Sequence, residues 1–271
     1  MACLGFEHCV IRTKATGGWP GLRTGVGGVA MFGFRSGSSA AGFSSGFSGL
    51  IAPLLGLAMA GVIAGSASAQ DKRQNTPGEF DFYVLSLSWS PSFCQAAHER
   101  GNSGRGIQAQ CAGRPFSFVV HGLWPQYDRG FPNYCQQPSP RLDRNVMTSM
   151  LDLMPAPGLI YNEWDKHGTC SGLGARAYFE TIRKARAAVK IPADYLELSD
   201  TKLVTPGDVE DAFIKANPGL SSSAIAVQCD SKRLSEVRIC MSKDLQFRAC
   251  DEIDRRSCRR DKVVMPPVRG G

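Results

Sequence analysis

The stretch Phe80–Ser90 reads FDFYVLSLSWS and places apolar residues at alternate positions. The alternation changes face in the middle, because Leu85 follows Val84 directly. A period of two is typical of a β-strand, and a change of face indicates a β-bulge. We therefore predict a strand here, bulged near its centre.

The next two segments differ sharply in composition. Residues 95–114 are polar and glycine-rich, which predicts a loop tied by a bridge between Cys94 and Cys111. Phe116–Val120 is a short apolar run rich in β-branched residues, and His121 follows it directly. This run predicts a buried strand that delivers a histidine at its end.

The middle of the chain predicts three helices. Asp143–Met154 and Ala175–Val189 carry apolar residues at helical spacing. A third helix is expected to begin at Thr205, a preferred N-cap residue, and to run to about Ala216. Pro206 then occupies the first helical position, where a missing N–H costs little.

Residues 224–250 contain three runs, AIAVQC, LSEVRICM and LQFRAC, that predict three strands. Lys243 and Asp244 form the expected turn between the last two, and Cys240 and Cys250 flank it. Early strands, central helices and late strands predict an α+β domain around a largely antiparallel sheet flanked by helices. We see no repeat and no long linker, so residues 70–271 are predicted to form a single domain.

Cysteine usage indicates the compartment. Eight of the ten cysteines follow residue 70, and none of them forms a Cys-x-x-Cys pair. An even number without metal-ligand spacing favours four disulfides over zinc, and hence an oxidising compartment. The eight are Cys94, Cys111, Cys135, Cys170, Cys229, Cys240, Cys250 and Cys258.

The N-terminal region reads as a targeting segment. Leu50–Gly65 is apolar and uncharged, and Ala67-Ser68-Ala69 supplies the small residues that signal peptidase requires. We interpret residues 50–69 as a signal peptide rather than a membrane anchor, because a span needs about 20 apolar residues. Residues 1–49 form a Gly/Ser-rich extension, and one hypothesis is that translation starts at Met31. We expect a secreted or periplasmic protein without stable membrane anchoring.

Charge is less informative. The formal net charge is +7, of which residues 1–69 carry +3 and the remaining residues +4. This mild excess is compatible with a polyanionic substrate but is far from the basic stripe of many nucleic-acid-binding domains.

Two segments carry candidate chemistry. The first motif, Val119–Gln126, reads VVHGLWPQ, and the second, Asn162–Cys170, reads NEWDKHGTC. If residues 162–169 begin a helix, Glu163, Lys166 and His167 lie on one face of it, with His121 opposite. Two histidines and a lysine can cleave RNA without a metal, as base, acid and charge stabiliser. Each residue alone is more often structural; the complete motifs reverse that balance.

Both motifs resemble the active-site signatures of the T2 family of ribonucleases, and Leu87–Cys94 resembles the family's first strand. The resemblance covers about residues 80–260. It implies an endoribonuclease that cleaves single-stranded RNA through a 2′,3′-cyclic phosphate to a 3′-phosphate, without cofactor or metal. It also implies that His121 and His167 are the catalytic pair. Within that pair we predict His167 as base and His121 as acid, an assignment that the resemblance leaves open. Glu163 and Lys166 would stabilise the phosphoryl charge, and Trp124 would stack a base.

The resemblance further suggests the bridges Cys135–Cys170, Cys229–Cys258 and Cys240–Cys250, which leave Cys94–Cys111. Asn162 departs from the family pattern, since many members have a histidine there that helps hold phosphate. Asparagine can donate a hydrogen bond but carries no charge, so phosphate affinity is open. Gln126 stands where some members have an acidic residue that influences base choice, which leaves base preference open.

Two alternatives remain from the sequence. One is a catalytically silent, secreted, disulfide-rich RNA-binding or defence protein on the same scaffold. The other is a metal-dependent hydrolase, which the absence of a carboxylate cluster or a histidine pair at ligand spacing disfavours. We expect a monomer with no protein partner. The lack of an Asn-x-Ser/Thr sequence after residue 70 favours a bacterial-type member.

Overall fold

The computed structural model describes residues 74–268. The strands are β1 Phe82–Trp89, β2 Phe118–Gln126, β3 Lys202–Val204, β4 Ile225–Cys229, β5 Leu234–Met241 and β6 Val263–Met265. The α-helices are α1 Ser90–Glu99, α2 Arg105–Cys111, α3 Arg144–Thr148, α4 Pro157–Lys166, α5 Ala175–Ala187, α6 Pro206–Ala216 and α7 Asp251–Arg255.

Four strands form the main sheet in the order β2-β1-β5-β4, and every neighbouring pair is antiparallel. Strands β3 and β6 form a second, two-stranded antiparallel sheet. In the main sheet β1 lies between the two strands that carry the site, since it pairs with β2 on one side and β5 on the other. The predicted α+β fold with an antiparallel sheet flanked by helices is confirmed.

The bulge is not where the sequence placed it. Strand β1 pairs with β5 in one continuous register from Tyr83 to Ser88. Its change of apolar face has another cause, because Phe82 and Val84 pack in a small cluster while Leu85 faces the main core. The early half of β1 is therefore buried on both faces, which removes simple alternation.

The irregularity instead lies in β2, at His121. Ser86 of β1 pairs with Gly122 and Leu87 pairs with Val120, so His121 is the extra residue of a bulge. The predicted strand at Phe116–Val120 thus continues through the histidine to Gln126. A bulge turns the side chain of its extra residue relative to the regular pleat, which suits a residue whose side chain must point in a particular direction.

Two other local predictions were wrong. The predicted loop at residues 95–114 contains the second half of α1 and all of α2; α1 has Pro91 in its first turn and buries Ala96 and Ala97. The predicted helix at Asp143–Met154 is regular only over α3, Arg144–Thr148.

A further correction concerns the last predicted strand, LQFRAC. Leu245 has φ of +62°, which leaves the extended conformation, and Phe247 makes only an isolated bridge to Met241. The strands predicted at AIAVQC and LSEVRICM are confirmed as β4 and β5.

Helices α5 and α6 were predicted well. Thr205 caps α6 by accepting a hydrogen bond from the Asp208 N–H at 3.0 Å, and the Asp208 carboxylate accepts one from the Thr205 N–H at 2.9 Å. This reciprocal pair is a capping box, and it fixes the start of the helix at Pro206.

All four disulfides that the resemblance suggested are formed. The bridges are Cys94–Cys111, Cys135–Cys170, Cys229–Cys258 and Cys240–Cys250. The predicted signal peptide and the predicted N-terminal extension lie outside the described residues. Between residues 74 and 268, no helix has the length and apolar character to span a bilayer.

The bridge between Cys135 and Cys170 joins positions 35 residues apart. Replacing both with alanine is expected to lower the free energy of unfolding by about 3–4 kcal/mol, because the unfolded chain regains the entropy of an open loop. Urea denaturation of the oxidised protein measures this. The matched variant lacks Cys94 and Cys111, which are 17 residues apart, and should lose about 3 kcal/mol. Unchanged stability on removal of Cys135–Cys170 would contradict the argument.

Candidate active site

The end of α4 presents the second motif. Helix α4 begins at Pro157 and ends at Lys166, so the motif begins in the last turn of the helix and continues past its end through a 3-10 turn at Gly168–Cys170. The sequence had suggested instead that residues 162–169 begin a helix. The chain must turn closely at Gly168, where a Cβ would overlap the rings of Trp164 and Tyr178. These two aromatic residues are buried in the core and hold the helix end in place.

Glu163 lies at the centre of the site and is buried. Its Oε2 accepts a hydrogen bond from Trp124 Nε1 at 2.7 Å, and its Oε1 lies 3.7 Å from His121 Nε2. Burial raises the pKa of Glu163 to about 7, although His121, Trp124 and Lys166 favour the charged form. The carboxyl group is therefore able to hold a proton near neutral pH.

Gly122 makes this arrangement possible. A Cβ on Gly122 would overlap both the Glu163 carboxylate and the indole nitrogen of Trp124. Any side chain at this position would push the two groups apart. A glycine follows His121 in the first motif because the backbone there lies close to the buried carboxyl group of Glu163.

His121 contacts Glu163 through one ring nitrogen and Glu236 through the other. Its Nδ1 lies 2.5 Å from Glu236 Oε1, and the Arg238 guanidinium binds the other carboxylate oxygen of Glu236 through Nε at 3.0 Å and Nη2 at 2.8 Å. Burial lowers the pKa of His121, but the Glu236 hydrogen bond and the two nearby carboxylates outweigh it, so the pKa is raised. Burial likewise opposes ionisation of Glu236, yet His121 and Arg238 lower its pKa to about 2.

His167 has the opposite environment. The ring is 5% exposed and stacks on Trp124, with 5.4 Å between ring centroids and 30° between ring planes. Its Nδ1 is buried without a hydrogen-bond partner among residues 74–268. Burial, followed by the positive charges of Lys166 and His121, lowers the pKa of His167 to about 3. This imidazole is neutral at physiological pH.

Trp124 contacts both imidazoles. Besides stacking on His167, it lies nearly perpendicular to the His121 ring, with 5.2 Å between ring centroids, and the Arg238 guanidinium lies 5.0 Å from its own centroid. Together with the hydrogen bond to Glu163, these contacts fix the indole. Whether it also stacks a base stays a prediction.

Lys166 and Asn162 lie on the same helix end. Lys166 is half-buried, and its charge favours ionised Glu163 and neutral His167. Asn162 is exposed on the preceding turn. The structure thus brings His121, Glu163, Lys166 and His167 together, as the sequence predicted.

Several other aromatic and polar residues lie outside this group. Tyr127 is a core residue whose hydroxyl accepts a hydrogen bond from the Asn75 N–H at 3.2 Å, which indicates a packing role. Phe131 is 42% exposed and lies 6.4 Å from the His167 ring, at the rim of the site. Gln126 is buried, and His98 lies near the end of α1. Within residues 74–268, no three potential ligand side chains converge as a metal site.

Sequence reasoning missed Glu236 and Arg238. A signal existed in β5, where Glu236 and Arg238 alternate with the core residues Val237 and Ile239. Two opposite charges on one face of an otherwise apolar strand indicate a polar pair with a specific partner. The partner itself, His121, is 115 residues away in sequence.

Comparison with known proteins agrees with these features. The sequence pattern of the Ribonuclease T2 family matches residues 80–250. A ribonuclease from Aeromonas hydrophila is 31% identical over 228 residues, which cover 81% of this chain and 99% of that protein. Ribonuclease I from Escherichia coli is 28% identical over 218 residues, covering 66% and 81% respectively.

Among solved structures, the RNase-related protein from Calystegia sepium is similar in fold. It has a TM-score of 0.58 at 24% sequence identity, and the match covers 70% of this chain and 99% of that one.

The fold and the site therefore define a disulfide-bonded α+β enzyme that acts on RNA. The chain belongs to the Ribonuclease T2 family and is a T2-type endoribonuclease.

Gly122→Ala should lower the free energy of unfolding by about 1–3 kcal/mol, because the methyl group forces apart the Glu163 carboxyl group and the Trp124 indole. Equilibrium unfolding in urea measures the loss. Gly158→Ala on α4 is the matched control, since its Cβ would meet nothing within 4 Å. That control should be neutral or slightly stabilising. Equal effects at the two glycines would refute the close-approach argument.

Glu163 also predicts a pH dependence of stability. Because its pKa rises from 4.5 to about 7 on folding, the folded protein binds this proton more tightly than the unfolded chain. The resulting stabilisation is present below pH 4.5 and is lost as the pH rises to about 7. Relative to wild type, Glu163→Gln should lack this decline, which amounts to roughly 1–3 kcal/mol. Parallel stability–pH curves for the two proteins would contradict the assignment.

Proposed function

We propose that this enzyme cleaves single-stranded RNA by metal-independent transphosphorylation, with His167 as base and His121 as acid. The observation that carries the proposal is the contrast between the environments of two imidazoles that both contact Trp124. In the first step the ribose 2′-oxygen attacks phosphorus, and the 5′-oxygen leaves. The product is a 2′,3′-cyclic phosphate, which water then opens to a 3′-phosphate.

His167 suits the role of base. A base must be unprotonated before the reaction, and the lowered pKa of His167 keeps its imidazole neutral. Its buried position beside the positive charge of Lys166 disfavours the imidazolium form in the free enzyme. The approach of an anionic phosphate would offset that charge and ease proton uptake from the 2′-OH as the bond to phosphorus forms.

His121 suits the role of acid. An acid must carry a proton that the leaving 5′-oxygen can take, and the hydrogen bond and negative charge of Glu236 favour the imidazolium form of His121. Its side chain is 34% exposed, which leaves the ring accessible to substrate. In the hydrolytic step the roles reverse: His121 takes a proton from water, and His167 returns one to the 2′-oxygen.

Glu163 and Lys166 would act on the phosphoryl oxygens. An ionised Glu163 would repel the phosphate, whereas the protonated form favoured by burial can donate a hydrogen bond to a non-bridging oxygen. Lys166 supplies the fixed positive charge for the oxygen that becomes more negative in the transition state. Asn162 contributes at most a neutral hydrogen bond to substrate phosphate.

The proposal also covers the RNA base, the cofactor requirement, the location of the enzyme and its oligomeric state. Trp124 would bind a base of single-stranded RNA by stacking, a contact worth about 1–3 kcal/mol in other proteins. The chemistry requires no cofactor. Four disulfides support export to the periplasm or the medium, where such bonds persist. We further propose that the enzyme acts as a monomer.

His121→Ala and His167→Ala should each lower kcat by about 10²–10⁴-fold, because each removes one proton-transfer group. The assay is cleavage of single-stranded RNA in EDTA by the oxidised protein starting at Gln70, with chromatographic detection of cyclic phosphate. His98→Ala, on α1, is the control and should retain wild-type activity.

The outcome also separates the alternatives. A wild-type protein that is inert with and without EDTA would favour the catalytically silent RNA-binding scaffold. A wild-type protein that cleaves RNA without EDTA but not with it would favour a metal-dependent hydrolase.

The pH profile of kcat/KM should be bell-shaped. Activity requires neutral His167 and is expected to rise as the pH increases through its pKa of about 3. It also requires protonated His121 and should fall as the pH rises through a pKa above the ordinary 6.5. Because Glu163→Gln cannot ionise, the alkaline limb that this variant retains reports His121 alone, and the loss of the Glu163 charge should move it to somewhat lower pH. An alkaline limb that falls well below pH 6.5 would contradict the assignment of His121 as acid.

A further inference from the structure

A carboxylate outside both motifs contacts the proposed acid. We propose that Glu236, on β5, is a positioning residue for the leaving-group step: it binds Nδ1 of His121 and so directs Nε2 towards the scissile phosphate. This inference rests on the proposed function, because it assigns a role only if His121 is the acid.

Both oxygens of the Glu236 carboxylate are occupied. Oε1 lies 2.5 Å from His121 Nδ1 and also accepts a weak hydrogen bond from Ser88 Oγ at 3.4 Å. Oε2 accepts two hydrogen bonds from the guanidinium of Arg238. The side chain is only 12% exposed. A carboxylate whose two oxygens are both hydrogen-bonded has little rotational freedom and can define the orientation of an imidazole.

The sheet explains how Glu236 reaches the histidine. Strand β1 lies between β5 and β2, so the two residues are two strand spacings apart, or roughly 10 Å along the sheet. Ser88 and Ser86 of β1 stand beside Glu236 and Arg238 in the register. Their small side chains leave room above β1 for the longer side chains of β5. The bulge at His121 turns the imidazole onto this same face.

The hydrogen bond specifies which ring nitrogen is available. With Nδ1 bound to Glu236, the second nitrogen, Nε2, is left without a hydrogen bond to Glu236 and lies 3.7 Å from Glu163 Oε1. The imidazolium donates its Nε2 proton to the 5′-oxygen, and the neutral ring that remains keeps its proton on Nδ1. Its Nε2 lone pair is then directed at the water that opens the cyclic phosphate. One contact thus serves both steps.

The charge balance around the ring is consistent with this role. Glu236 and Glu163 favour the protonated ring, and Arg238 opposes it. The charged and titratable groups that interact with His121 come from β5, from α4 and from the residue after α4: Glu236, Arg238, Glu163 and His167. Glu236 alone among them bonds to the imidazole, so its removal should lower the pKa of His121.

The test uses Glu236→Gln, which keeps a hydrogen-bond acceptor but removes the charge. With a dinucleotide substrate, kcat should fall about 10–100-fold while KM changes less than twofold, and the alkaline limb of the pH profile should move to lower pH. With uridine 3′-(p-nitrophenyl phosphate), whose leaving group needs no proton, the same variant should stay within about threefold of wild type. Glu236→Asp should restore part of the alkaline limb.

Glu99→Gln is the matched control, since Glu99 pairs with Arg233 at 2.7 Å away from the site. This control variant should have wild-type kcat and KM on both substrates. Equal losses of Glu236→Gln on the dinucleotide and on the aryl ester would overturn the proposal, because a general structural defect does not depend on the leaving group.

A spectroscopic measurement distinguishes this inference from the proposed function. In wild-type protein above the pKa of His121, ¹⁵N–¹H spectra should place the ring proton on Nδ1, and Glu236→Gln should lower the titration midpoint of this ring. A proton on Nε2 in the wild type, or an unchanged midpoint in the folded variant, would overturn the positioning role. If these signals hold but His121→Ala cleaves RNA normally, the acid assignment fails instead, and the role of Glu236 in catalysis with it.

Discussion

The hydrogen bond between Trp124 Nε1 and Glu163 Oε2 is the contact on which the rest of the site depends. It joins the strand of the first motif to the helix of the second and satisfies a carboxyl group that is almost fully buried. A buried carboxyl group without such a partner would be strongly unfavourable. The bond also fixes the indole, and the indole in turn sets the position of His167, which stacks on it, and of His121, which lies nearly perpendicular to it. Gly122 is the condition for this contact, because any side chain there would occupy the same space.

Around that fixed indole, the protein gives two chemically identical rings different properties. His121 is partly exposed and bonded to a carboxylate, whereas His167 is buried beside a lysine. Both differences come from the protein scaffold: β5 provides Glu236, and the last turn of α4 provides Lys166 next to His167. The proposed acid–base mechanism requires one protonated and one neutral imidazole near neutral pH. The different surroundings of the two histidines favour both forms with the same residue type.

Much of the fold could be predicted because local patterns agreed with the final packing. The capping box at Thr205, the apolar period of α5 and the alternation in β5 all depend on neighbours in sequence. The errors have a common cause. In β1, both faces are buried near its start, so the face change mimicked a bulge that in fact lies in β2. In residues 95–114, polar and glycine-rich composition concealed two short helices, which the Cys94–Cys111 bridge links.

By itself, the sequence determined the identity of the chemical groups. The two motifs contain His121, Glu163, Lys166 and His167, and their resemblance to the T2 ribonucleases gave the family and the disulfide pairs. Only the tertiary structure decided which protons these groups hold. A pKa depends on burial and on charges within a few ångströms, and those charges come from residues distant in sequence. Glu236 is the clearest example, because nothing near it in the chain connects it to His121. It reaches that ring only because β1 lies between β5 and β2 in the folded sheet.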